Sequence, residues 1–350
     1  MKANKTRILY LDIAKIIGIL LVIFGHTNFI NPVPEIQSVK YIIYTFHMPL
    51  FLFISGLVYA TYVKDTPYLS FVKHKTLRLM VPYLVVSIIL ITVKLLTPAN
   101  TMTVNPVTTY SYLHIFYKAE AGYFLWFLWV LWIMFLIIPF FRTKRARIYL
   151  LLFFAGLAIL PVDFPTIICL DSLKRYGLYF VLGCIAIDQT KVFEYLMSKR
   201  LLTSAIFLIS ISAYIMFPDT IMNGIAQCVL PFAGTLLILQ VSRAVSAPIQ
   251  SSVPTFVVLA SSSMFFIYLF HTIFMGVAYY LLYKSGIATT ESTLLSIFCN
   301  VAIICTGFLC PLALYHILEK HPTPINRLLA VPYRKEPLTR TIDSSTTRFQ

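Results

Sequence analysis

An all-α, polytopic transmembrane bundle of about ten helices is the fold class that this sequence predicts, on three observations. Of its 350 residues, 59% are apolar and 12% charged, whereas a soluble globular chain is about 45–50% apolar and about 25% charged. The mean hydropathy is +0.83. The apolar residues also fall in successive runs, most of them close to the roughly 20 residues that carry a helix across a bilayer core. These values exclude an ordinary soluble enzyme, a disordered chain and a secreted disulfide scaffold.

The runs place spans at 8–27, 42–63, 79–97, 123–141, 148–166, 175–188, 201–217, 224–242, 255–283 and 293–318, with the sixth the shortest. The first follows a basic start, Met1 to Arg7. It carries Asp12 and Lys15 and shows no small-residue cleavage site, so it reads as a retained span rather than a signal peptide. The later spans are separated by segments that hold the prolines, charges and polar residues. The chain divides into a transmembrane domain, 1–322, and a polar, basic tail, 323–350.

Charge orients the bundle. Lys and Arg outnumber Asp and Glu by 28 to 13. With both termini in the cytoplasm, twenty-one of these cations lie in inner segments. Only Lys40, Lys118, Lys174, Arg175 and Lys284 lie outside, and Lys15 and Lys94 fall within spans. Such asymmetry is the signature of cytoplasmic loops, so the net charge of +15 reflects topology rather than a nucleic-acid partner. The lipid bilayer is the expected environment. The six cysteines (169, 184, 228, 299, 305 and 310) show no metal-ligand spacing, and no metal is expected.

Polar groups inside a bilayer are costly, so each is a functional candidate. Asp12 and Lys15 are three residues apart on one helix face, where they can pair. Lys15 and His26 are eleven apart. At about 100° per residue that is three turns plus about 20°, so the two point the same way, about 16 Å apart along the axis. Gly18 and Gly25 leave room for a second helix to approach. The chain leaves the first span on the outer side and re-enters there, which puts His47 at the depth of His26. On the inner side, Lys75 and Arg78 form a basic pair before Pro82, suited to phosphate groups of a cytosolic donor. Trp126, Trp129 and Trp132 read as packing or an interfacial belt, and His271 as an interhelical hydrogen-bonding group.

These pieces resemble a known family. Leu11-Asp12-x-x-Lys15 with His26, Phe46-His47-Met48-Pro49-Leu50-Phe51, Ile54-Ser55-Gly56 and the basic segment ending at Pro82 are similar to the acyltransferase-3 family of integral membrane acyltransferases, most of all its fucose 4-O-acetylase-like sugar O-acetyltransferases. Leu125-Trp126-Phe127-Leu128, Tyr179-Phe180-x-Leu182-Gly183 and Tyr268-Leu269-Phe270-His271 agree. The resemblance implies transfer of an acetyl group from cytosolic acetyl-CoA to a hydroxyl of a cell-surface or lipid-linked sugar, at a bacterial plasma membrane. The family's arginine-x10-histidine motif falls on Lys15 and His26, with lysine in place of arginine. Lysine keeps the charge and loses the bidentate fork.

In chemical terms, a hydroxyl is a poor nucleophile at neutral pH and an imidazole is a suitable base. His26 is expected to deprotonate the acceptor and His47 to orient it. Lys15, Lys75 and Arg78 are expected to attract the CoA phosphates. An acyl-histidine intermediate remains open as an alternative route. So does a different class of protein, an exporter or flippase of a polysaccharide or lipid-linked glycan.

Overall fold

The structure, a computed structural model, describes residues 8–63, 66–96, 106–218, 220–287 and 292–333. Residues 1–7 and 334–350, which hold much of the basic start and tail, lie outside them. The described regular elements are all helical: α1 (Leu9–His26), α2 (Pro34–Tyr62), α3 (Tyr68–Leu96), α4 (Ser111–His114), α5 (Trp126–Ile137), α6 (Lys144–Ile159), α7 (Leu170–Asp188), α8 (Thr190–Ser198), α9 (Arg200–Met216), α10 (Ile221–Ser246), α11 (Thr255–Lys284), α12 (Thr293–Lys320) and α13 (Pro324–Leu328), with short helical turns between some of them.

Each of the ten expected apolar runs overlaps one of these helices, the fifth extending past the end of α6 at Ile159. Seven stretches are long and apolar enough to cross a membrane: α1, α2, α3, Tyr123–Phe140 (which contains α5), Ile221–Ile249 (which contains α10), α11 and α12. The pair α8–α9, bent by 74°, makes an eighth if taken as one span. The other two expected spans fall on α6 and α7. The first has only 16 residues. The second carries Asp171, Lys174, Arg175 and Asp188 and packs lengthwise on α2. A helix covered by protein needs less apolar surface than one facing lipid.

Two helices begin earlier than the apolar runs suggest. α2 starts at Pro34, where proline's fixed φ suits the first helical position, and its first turns carry Glu35, Gln37 and Lys40. α3 starts at Tyr68, so Lys73, Lys75 and Arg78 are helical rather than part of a loop. Pro49 consequently lies well inside α2.

Lipid supplies no hydrophobic drive between helices, so close approach through small residues and internal polar bonds hold the bundle. α2 and α7 cross through two glycines. A Cβ on Gly56 would stand 1.9 Å from the Phe180 carbonyl oxygen, and one on Gly183 would stand 2.0 Å from that of Phe53. Backbone cannot yield as a side chain can. Gly56→Ala is therefore expected to destabilise the detergent-solubilised protein by at least about 1–3 kcal/mol, the cost of overpacking. Gly276→Ala, whose Cβ would meet nothing within 4 Å, is the control. Equal melting temperatures for the two variants would contradict this account of the crossing.

α1 occupies the centre, packed by α2, α10, α11 and α12. Around it, one apolar core runs through α2, α3, α5, α7, α11 and α12. A smaller one, containing Leu11, Ala14, Leu57, Phe193, Met197 and Leu239, closes the α1 N-terminal end. Ion pairs join further helices. The Arg147 Nη1 donates to both Asp188 oxygens at 2.8 and 2.9 Å, joining α6 to α7. Arg243 makes a two-pronged pair with Glu194, joining α10 to α8.

Candidate active site

The site is built at the C-terminal end of α1. Gly25 lets the Tyr44 ring lie against the helix, 3.3 Å from where a Cβ would be. The Tyr44 hydroxyl donates to the Gly25 carbonyl at 2.6 Å. Thr27 Oγ1 donates to the Ile23 carbonyl at 2.8 Å, and Lys40 Nζ to the Thr27 carbonyl at 3.1 Å. The last carbonyls of a helix lack intrahelical partners, and here side chains from the terminus and from α2 supply them. These bonds fix the backbone that carries His26.

Two imidazoles meet there, and a third lies beyond Tyr44. The His26 ring centroid lies 5.4 Å from that of His271 on α11, 6.1 Å from Tyr44 and 6.0 Å from Phe124. The His47 ring centroid lies 5.3 Å from that of Tyr44. His26 and His47 thus pack against the same Tyr44 ring rather than against each other's rings. The Nδ1 of His271 bonds its own helix, at the Tyr268 carbonyl, and its ring faces His26.

The hydrogen bonds assign tautomers. His47 Nδ1 lies 2.8 Å from the Ile43 carbonyl oxygen, and His271 Nδ1 lies 2.7 Å from that of Tyr268. A carbonyl oxygen only accepts, so each Nδ1 carries the proton and each neutral ring presents a lone pair at Nε2. His47 and His271 are buried, at 3% and 0% exposure, whereas His26 is half-buried. Phe124 closes the wall. Its ring packs edge-on against both His271 and Tyr268, and the Tyr268 hydroxyl donates to its carbonyl.

The opposite end of α1 holds the expected ion pair. Lys15 Nζ donates to Asp12 Oδ1 at 3.4 Å, with the Lys15 side chain 29% exposed. Lys75 lies over the Phe135 ring at 4.0 Å and near Phe71 at 5.6 Å, a cation–π arrangement. Arg78 is exposed one turn further along α3. The three cations therefore stand on two helices, Lys15 held by a carboxylate and Lys75 by aromatic faces. Among the described residues, no group of three or more His, Cys, Asp or Glu side chains has the geometry to hold a metal ion.

Other polar residues have structural partners. Trp126 stacks on Tyr176 at 4.7 Å, Trp129 packs edge-on to Tyr83, and Trp132 Nε1 donates to Thr76 at 2.9 Å, so the tryptophans serve packing. Lys94 Nζ donates to the Ala121 carbonyl at 2.9 Å. His114 pairs with Glu120, and Ser111 donates to the same carboxylate. Burial would raise the Glu120 pKa, but these bonds outweigh it and hold the carboxyl below its usual range.

Residues 8–316 match a family described as an acyltransferase domain. No curated protein and no solved structure matches the chain.

Proposed function

From the premise that this chain belongs to that acyltransferase family, we propose that it moves an acetyl group from cytosolic acetyl-CoA to a hydroxyl of a cell-surface or lipid-linked sugar, with His26 as general base. The observation that carries the reading is the cluster of imidazoles around the end of α1, with Lys15 on the same helix face about 16 Å away. An extended pantetheine arm is of that order. A donor whose phosphates rest near Lys15, Lys75 and Arg78 would therefore bring its thioester to His26. The Lys/Arg asymmetry supports this orientation, with the cations on the cytoplasmic side.

His26 takes the proton of the acceptor hydroxyl as its oxygen attacks the thioester carbonyl. The tetrahedral intermediate collapses, the carbon–sulfur bond breaks, and the His26 imidazolium returns the proton to the departing thiolate. His47, with its lone pair at Nε2, accepts a hydrogen bond that orients the acceptor. Lys15 contributes charge to donor binding and takes no part in bond changes.

This division has a kinetic consequence. Lys15→Ala should raise the KM for acetyl-CoA several-fold with little change in kcat, since it removes binding present equally in ground and transition states. An unchanged KM would remove Lys15 from the donor site. Transfer is tested by incubating membranes with labelled acetyl-CoA and glycan from cells lacking the protein. Label on the glycan supports the enzyme. Altered glycan export without label would support the transporter reading instead.

A further inference from the structure

His271 is a buried group that the mechanism above leaves unused. It is 0% exposed. Its Nδ1–H is committed to the Tyr268 carbonyl of its own helix. Its Nε2, which must then carry the lone pair, has no hydrogen-bond partner. The ring faces His26, with Phe124 edge-on against it.

We infer that His271 is a positioning residue for His26: its Nε2 accepts a hydrogen bond from one ring N–H of His26 and so turns the other His26 nitrogen, lone pair outward, to the acceptor hydroxyl. This rests on the reading of His26 as the base. The spacing fits. A hydrogen bond of about 2.9 Å between facing ring nitrogens puts imidazole centroids about 5 Å apart, and these stand 5.4 Å apart.

The chemistry also fits. A free imidazole exchanges between two tautomers, only one of which aims a lone pair at the substrate. An acceptor fixed behind the ring selects that one. When His26 takes the hydroxyl proton, both its nitrogens carry hydrogen. One N–H remains on His271, and the other gives its proton to the thiolate. His271 neither gains nor loses a proton. Had His271 served packing alone, an apolar side chain would fit better, because an unpaired buried ring nitrogen is destabilising.

Two amide variants of the full chain separate the roles. In His271→Asn the amide reaches the helix carbonyl that Nδ1 now bonds, but falls short of His26. In His271→Gln the longer side chain brings an acceptor close to the position of Nε2. In transfer assays with acetyl-CoA and glycan from cells lacking the protein, His271→Asn should lower kcat by about 10–100-fold, the usual cost of losing a partner that orients a functional histidine. Its KM for acetyl-CoA should stay within about twofold, the mark of an interaction used in the transition state. His271→Gln should recover most of the loss. Melting temperatures check folding, and His271→Ser, whose hydroxyl also bonds a helix carbonyl, replaces the Asn variant if that does not fold.

Equal kcat for the short and long variants, whether high or low, would overturn the inference, as would an effect confined to KM. His26→Ala keeps the two claims apart. If that variant is active, the reading of His26 has failed. If it is inactive while the His271 variants match each other, only the role of His271 has failed.

Discussion

His26→Ala should retain the fold and lose transfer, with kcat down by about 10²–10⁴-fold, the range for removal of a general base. The fold is expected to survive because the surrounding bonds do not pass through the imidazole. The end of α1 is held by Tyr44 on the Gly25 carbonyl, Thr27 on the Ile23 carbonyl and Lys40 on the Thr27 carbonyl. The ring itself is half-buried and meets neighbouring rings, so its removal costs modest packing. The loss should appear in kcat and kcat/KM alike, because proton transfer occurs only in the transition state. A folded His26→Ala protein with full activity would exclude this histidine from the chemistry.

Asp188→Ala is expected to have the largest effect on stability. Arg147 is buried at 2% exposure, and Asp188 accepts two of its hydrogen bonds. The third goes to the Phe141 carbonyl at 3.1 Å. Without the carboxylate, a buried guanidinium loses its counter-charge. Breaking such a pair from one side typically costs about 3–5 kcal/mol, whereas replacing both partners with apolar groups of similar size is often near neutral. The melting temperature of Asp188→Ala should therefore fall clearly below wild type, and that of the Arg147→Met, Asp188→Leu double variant should recover. Equal loss in the single and double variants would mean that the pair is not what joins α6 to α7.

Much of this arrangement was legible in the sequence because it is local. The Asp12–Lys15 pair and the shared face of Lys15 and His26 follow from helix periodicity. Gly18 and Gly25 announced the close approach of α2, which the Leu50, Phe51 and Tyr44 side chains make. The nearness of His47 followed from the hairpin of the first two spans.

What was not legible depends on neighbours distant in the chain. His271 is 245 positions beyond His26, and no periodicity says that α11 packs on α1. Its signal was a histidine in mid-span, ambiguous until the facing ring is known. Lys75 looked like a free phosphate-binding cation, but the aromatic faces beneath it belong partly to α5. The early starts of α2 and α3 escaped a reading based on hydropathy because their first turns are polar. In α2 the overlooked signal was Pro34.

The central claim is that His26 is the base of an acetyl transfer to a glycan. Its most direct test compares, by mass, the surface glycans of cells producing the wild-type protein with those of cells producing His26→Ala at equal membrane levels. The account predicts species heavier by about 42 Da per acetyl ester with the wild type and their loss with the variant. Glycans of identical mass in both would contradict it.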